Sequence, residues 1–301
     1  MTRLLFVHAH PDDETLTCGI TMAHHVDSGD EVHVLVCTLG EEGEVIPTEL
    51  AHLEGADGDP LGSWRREELR EAMRRLRVAH AVLGEDPDTG VLSRYRDSGM
   101  VGMPAAHHPR AFAGAPVGEA AEPVAEHVRA VRPDVVVTYD RHGGYGHPDH
   151  IQTHRVTMAA LAGLPPEVRP ERVFEIRTPR SWAVEDRAWL PGHVRVEEGL
   201  TLLGPDADYP PSVVPDNQVT HVVLDAGVRT TQEYALAAHR TQVSVFQGYY
   251  ALSDDVAARL AGREGFTRVD PWTADGDTSV ARDRDVADTR RTGPAALGLL
   301  G

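Results

Sequence analysis

Apolar and polar positions along the first part of the chain switch repeatedly between two periods. Residues 4–7 form a short apolar run that ends at His8, and from Asp13 onward Leu16, Ile20, Ala23 and Val26 recur at helical spacing until Ser28-Gly29. The same reading predicts a strand over 32–38, a charged amphipathic helix over 64–76, a short apolar run at 81–83, a helix over 123–131, a strand over 134–139 and a helix over 149–161. Val135, Val136 and Val137 are contiguous, the mark of a strand buried on both faces. Strands alternating with helices imply right-handed crossovers, hence an α/β fold with a mostly parallel, doubly wound sheet.

After Gly163 the pattern loosens into a smaller C-terminal α/β lobe. Strands are expected at 172–177 and 219–224, and helices at 228–239 and 254–260. Several prolines make 191–215 irregular. From Thr273 the chain is rich in Asp, Arg, Gly and Thr with little apolar content, the composition of a partly mobile tail. The expected division is a catalytic domain over 1–165, a lobe over 166–272 that helps form the substrate pocket, and a tail over 273–301.

Composition narrows the chemistry. The chain has 301 residues, enough for one large domain or a domain with a smaller lobe. It contains no lysine, which removes Schiff-base catalysis, lysine-anchored pyridoxal phosphate and the Gly-x-x-x-x-Gly-Lys phosphate loop. Its formal net charge of −18, without basic runs, argues against nucleic acid or anionic membranes as partners. Cys18 and Cys37 have no CxxC spacing and read as small buried apolar groups in a reducing compartment. The N-terminal apolar run is too short for a signal-peptide core, and no stretch approaches about 18 continuous apolar residues, so a soluble cytoplasmic protein is expected.

Two segments carry the polar chemistry, each between a predicted strand and a helix. His8-Ala9-His10-Pro11-Asp12-Asp13-Glu14 follows the first strand, and Tyr139-Asp140-Arg141-His142-Gly143-Gly144-Tyr145-Gly146-His147-Pro148-Asp149-His150 follows the valine-rich strand. Loops after parallel strands converge at the carboxyl edge of the sheet, so the two segments face one crevice and gather His10, Asp12, Asp13, His147, Asp149 and His150. Imidazole and carboxylate are the usual ligands of a divalent metal where cysteine is absent, and three protein ligands leave a position for water. One of Asp12 and Asp13 suits the metal and the other the substrate. Taken singly, Asp12, Asp13 or Asp149 would pass for a helix cap; two such segments on one sheet edge point to a shared cation instead. Histidines such as His24, His52 and His127 lack that setting and read as surface or packing residues.

With these segments the chain resembles the LmbE-like (PIG-L) zinc N-deacetylase superfamily, Rossmann-like enzymes that hydrolyse acetamides of N-acetylglucosaminyl compounds. Further marks are Cys37-Thr38-Leu39-Gly40-Glu41-Glu42-Gly43-Glu44-Val45-Ile46, Arg96-Asp97-Ser98-Gly99-Met100 and Ala237-Ala238-His239-Arg240-Thr241-Gln242. These are nearest to the branch that deacetylates N-acetylglucosaminyl-inositol in mycothiol biosynthesis. The resemblance implies one Zn2+ per chain, or another divalent ion such as Fe2+, on His10, Asp13 and His150. It implies Asp12 as general base, His147 as the group that stabilises charge on the acetamide oxygen, and Asp149 as the residue tuning that imidazole. Tyr145, the only hydroxyl between the two loop glycines and His147, would donate to the tetrahedral oxyanion. Arg65, Asp97 and Glu44 would meet the sugar, and His239 and Gln242 would approach from the C-terminal lobe without a chemical role.

Other functions compete with this one. A mycothiol S-conjugate amidase would use the same centre on a larger amide, and a non-catalytic metal- or sugar-binding module would need no base at Asp12. A dinucleotide oxidoreductase lacks Gly-x-Gly-x-x-Gly after the first strand, and a serine hydrolase lacks Gly-x-Ser-x-Gly. The expected partner is a small amino-sugar substrate.

Overall fold

The computed structural model describes residues 1–272 and Leu299. Its frame is a seven-stranded sheet: β1 (Arg3–His8), β2 (Glu31–Val36), β3 (Ala79–Val82), β4 (Val135–Thr138), β5 (Arg172–Ile176), β6 (His221–Leu224) and β7 (Arg263–Val269), in the spatial order β3-β2-β1-β4-β5-β7-β6. The first five are parallel, and β7 runs antiparallel to both β5 and β6. Helices α1 (Asp13–Asp27), α2 (Pro60–Leu76), α3 (Val117–Val131), α4 (Pro148–Ala162), α5 (Arg180–Trp189) and α6 (Arg229–Leu236) follow in chain order.

Strand periodicity sorts the core into two layers. Leu4, Phe6, Val34, Val36, Val135 and Val137 point to the layer that holds Ile20 of α1 and Leu69, Met73 and Leu76 of α2. Leu5, Val7, Leu35 and Val136 point the other way, onto Val124 and Val128 of α3 and Val156 and Leu161 of α4. Cys18 and Cys37 are free, buried and in opposite layers. Among the described residues no helix is long and apolar enough to cross a membrane.

The C-terminal part adds β5, β6 and β7 to the main sheet. Its smaller elements are an antiparallel sheet of Ser244–Val245, Tyr249–Ala251 and Ala257–Arg259, and a parallel pair of Thr178–Pro179 with Val213–Val214. The helix expected at 254–260 is therefore corrected: Ala257–Arg259 pairs with Tyr249–Ala251, and cross-strand partners override the helical propensity of Ala257, Ala258 and Arg259. The helix expected over 228–239 ends at Leu236, and the one expected from 123 begins at Val117, with Pro123 inside it. Strand β7 escapes sequence reading because Arg263, Glu264, Thr267 and Arg268 interrupt its apolar pattern. Its Gly265 is there for a close approach: a Cβ would stand 2.6 Å from the carbonyl oxygen of Arg177. The tail expected over 273–301 lies outside the described residues except for Leu299, which is buried and whose carbonyl accepts from Arg172 (2.9 Å).

Strand β1 lies between β2 and β4, so the connections leaving it diverge and a crevice opens at the carboxyl ends of β1 and β4. The register pairs Leu4 with Val135 and Phe6 with Val137, which brings the two following loops out at one level. Their bases are tied together: Thr138 Oγ1 donates to Val7 O (3.0 Å) and Ala9 N donates to Tyr139 Oη (3.0 Å).

Phe6 is fully buried at the centre of this sheet. Phe6→Ala is expected to lower the unfolding free energy by about 3–5 kcal/mol, whereas Arg70→Ala on the exposed face of α2 should change it by less than about 0.5 kcal/mol. Denaturant unfolding checks this; matching midpoints for the two variants would contradict the core assignment.

Candidate metal centre

Four residues separate β1 from α1, and Pro11 stiffens their backbone. Asp12 holds a φ of 111° and ψ of −38°, a sparsely populated region that costs on the order of 1–3 kcal/mol for a residue with a Cβ. Its carbonyl opens α1 by accepting from Thr15 N and Leu16 N (3.0 and 2.9 Å). Its carboxylate makes no capping bond among the described residues, which removes the helix-cap reading. The carboxylate instead meets Arg65: Nη2 donates to Asp12 Oδ2 (3.1 Å) and to Pro11 O (2.6 Å), while Nη1 donates to Gly40 O (2.6 Å). Arg65 is buried beneath the loop.

Three candidate ligand atoms converge from the two strand-to-helix junctions. His10 Nδ1 lies 3.3 Å from Asp13 Oδ2, His150 Nε2 lies 3.2 Å from that same oxygen, and the two ring nitrogens are 3.3 Å apart. Ligands about 2.0–2.1 Å from a tetrahedral zinc stand about 3.3 Å from one another, so the spacing fits one ion. Two other trios also lie close enough to share a cation: His10 with His147 and His150, and His10 with Asp97 and Asp149.

Supporting contacts set the ring tautomers. His150 Nδ1 lies 3.2 Å from Gly143 O, and that carbonyl makes Nδ1 the protonated nitrogen and leaves Nε2 for the ligand position. His10 Nε2 lies 3.3 Å from Asp149 Oδ2 and 3.5 Å from Asp97 Oδ1, which frees Nδ1 in the same way. Tyr139 stacks on His150 at 4.3 Å between centroids. Gly143 has φ +64° and allows the loop to press on α4, where a Cβ would stand 2.7 Å from His150 Cβ. Burial opposes charge on His10, yet Asp97, Asp13 and Asp149 outweigh it and hold the ring well above the ordinary imidazole range. A pocket this negative favours a cation.

Asp149, expected to tune His147, divides its work. Its carboxylate faces His10, while its main-chain N–H donates to His147 Nδ1 (3.1 Å). That bond caps α4 and puts the remaining His147 proton on Nε2. Burial, aided by His10 and His150, pushes His147 down to about 3, so the ring is a neutral donor. Tyr145 is 55% exposed, with its ring 5.1 Å from His150, at the mouth of the crevice.

The three groups expected at the sugar are placed differently. Asp97 is buried, accepts from Gly99 N (2.8 Å) and Glu42 N (3.3 Å), and faces His10. Arg65 lies under Asp12, and Glu44 is exposed beside Gly43. Sequence reasoning gave no role to Asp140, whose carboxylate accepts from His142 N (2.7 Å) and Gly144 N (3.2 Å) and so shapes the second loop. Its position directly after β4 was the available signal.

Comparison with known proteins identifies the family. The family model described as GlcNAc-PI de-N-acetylase, PIG-L, matches residues 5–161. The chain is 43% identical to the 1D-myo-inositol 2-acetamido-2-deoxy-alpha-D-glucopyranoside deacetylase of Thermomonospora curvata, over 92% of this chain and 95% of the relative. It is also 43% identical to the deacetylase of that name from Geodermatophilus obscurus, over 91% and 95%. Among solved structures, the 4-carboxy-2-hydroxymuconate hydratase of Pseudomonas putida is similar at a TM-score of 0.50 and 17% identity, covering 79% of this chain and 78% of that one, a likeness of fold alone. With more than half of its length under the family model and such relatives across nine-tenths of it, the chain belongs to the PIG-L family.

Proposed function

We propose that this protein is a zinc-dependent N-deacetylase that releases acetate from N-acetylglucosaminyl-inositol and leaves the free amine. The observation that carries the chemistry is the triangle of His10 Nδ1, Asp13 Oδ2 and His150 Nε2, at 3.2–3.3 Å, with Asp12 the residue before Asp13 and its carboxylate held by Arg65. The substrate follows from the relatives' shared name at 43% identity.

His10, Asp13 and His150 would hold the cation; in this trio a carboxylate supplies negative charge and both imidazoles keep their second nitrogen on an acceptor. When bound, a divalent cation acidifies a water and polarises a carbonyl. Asp12 takes a proton from the attacking water as the new C–O bond forms, and returns it to the nitrogen as the C–N bond breaks, giving acetate and amine. His147 Nε2–H donates to the acetamide oxygen as negative charge builds there, and Tyr145 reaches the same oxygen from the mouth. Arg65 and Asp97 act from one layer below, on Asp12 and His10, and the exposed Glu44 is the one of the three that would meet sugar hydroxyls.

Asp12→Asn should lower kcat about 10²–10⁴-fold, the usual contribution of a general acid–base, with metal content unchanged; undiminished acetate release would refute the base assignment. Removing metal with a chelator should abolish release and zinc should restore it, measured alongside metal analysis. Turnover of a mycothiol S-conjugate in preference to N-acetylglucosaminyl-inositol would move the protein to the amidase reading.

The pH dependence has a definite sign. Burial raises the Asp12 carboxyl to about 7 even against the Arg65 guanidinium, with Asp13 adding to the rise. The base works as carboxylate, the form present above its pKa, so kcat/KM should climb with pH through an apparent pKa at or below about 7, a cation in the cage moving it downward. His147, at about 3, adds no limb between about pH 5 and 8. A rising limb that persists in the residual activity of Asp12→Asn would assign it to another group.

A further inference from the structure

Asp12 keeps its unfavourable backbone only while something holds it. Its main-chain N–H donates to Glu14 Oε2 (3.0 Å), a bond closed backward over the start of α1. The other Glu14 oxygen, Oε1, accepts from Thr15 Oγ1 (2.6 Å) and lies 3.2 Å from His239 Nε2. Glu14 and His239 both have no exposed surface. A carboxylate removed from water to this degree needs a compensating partner, and a protonated His239, at ion-pair distance rather than in a directional hydrogen bond, is one such group.

His239 arrives from the far end of the chain, on a segment stitched to everything around Asp12. Thr241 donates to Glu68 on α2 through its N–H (3.0 Å) and its hydroxyl (2.7 Å), one turn from Arg65. Thr241 O accepts from Ile46 N (2.9 Å), and Gln242 Nε2 donates to Glu44 O (3.2 Å). The segment therefore grips the loop that carries Glu44, the helix that carries Arg65, and the carboxylate that carries the Asp12 backbone.

We propose that Glu14 and His239 form a positioning pair for the deacetylation: the imidazole fixes the Glu14 carboxylate, and that carboxylate fixes the main chain that aims Asp12. The pair rests on the reading of Asp12 as the base. It differs from a plain helix cap, which would affect stability and leave turnover by the folded enzyme alone.

The test is acetate release by the full zinc-loaded chain and by Glu14→Gln, His239→Gln and the double variant, each also in an Asp12→Ala background, with bound metal and Tm measured on every sample. Each single change should lower kcat about 10–100-fold, the range for groups that orient a catalytic residue, with KM held within about twofold and metal content unchanged. The double variant should be no worse than the stronger single, and neither change should cost anything further once Asp12 is alanine. Unchanged kcat, a loss that follows KM or metal content, or a loss that persists in Asp12→Ala overturns the pair. If Glu14→Gln melts below the assay temperature, His239→Gln, outside the metal cage, reads the same coupling. An unsubstituted chain that releases no acetate overturns the function reading itself, a result separable from those.

Discussion

Hydrogen-bonded adjacency of β1 and β4 is the constraint on which the rest depends. The three candidate ligand atoms are 3.2–3.3 Å apart, yet His10 and His150 are separated by 140 residues of chain. A strand advances about 3.3 Å per residue, so a slip of two residues between β1 and β4 would displace one loop by about 7 Å and dissolve the cage. The pairing of Leu4 with Val135 and Phe6 with Val137, buried on both faces, prevents that slip. The proposed metal centre is in this sense a consequence of core packing: the valines and Phe6 that bury the sheet also set the distance between His10 and His150.

The crevice brings Asp12, Asp13, Glu14, Asp97 and Asp149 into one buried region, an arrangement that repels itself unless each carboxylate has a partner. Each has one. Asp12 has Arg65, Asp13 has His10 and His150, Glu14 has His239, Asp97 has main-chain N–H groups, and Asp149 has His10 and the N–H of Ser98 (2.9 Å). The division explains why neighbours in one short motif take different roles. The carboxylate opposite a fixed arginine suits the proposed proton acceptor, while the one between two imidazoles suits the proposed ligand.

Much of this was legible in the chain. Short apolar runs, each followed by a helical period, gave β1, β2, β4 and their helices, and two His-Pro-Asp segments at strand-to-helix junctions marked the crevice. What stayed illegible depends on side-chain direction. Arg65 looks like any of the arginines on α2, but it shares the buried stripe with Leu61, Glu68, Leu69, Ala72 and Leu76, whereas Arg70 and Arg74 face solvent. That stripe was the missed signal: a charged residue on the apolar face of an amphipathic helix is there to meet something. The side to which Asp149 turns its carboxylate is decided by the first turn of α4 and cannot be read from spacing. Strand β7 and the 257–259 strand were hidden because their partners, not their own patterns, decide their conformation.

The two loops differ in stiffness, and the difference follows the chemistry. The first is tied down on several sides, by the ring of Pro11, by Arg65 on the Pro11 carbonyl and by Glu14 on the N–H of the strained Asp12. The second carries glycines at 143, 144 and 146, all with positive φ, and holds Tyr145 out in solvent while Asp140 and the N–H of Ser212 (3.0 Å to Gly144 O) anchor its base. A ligand or base must stand within a few tenths of an ångström of its working position, since its effect falls steeply with misplacement. A donor that meets the acyl oxygen has to admit the sugar first and approach afterward. Tight anchoring is therefore concentrated where the proposed cation and proton would be handled, and glycine where the substrate would enter.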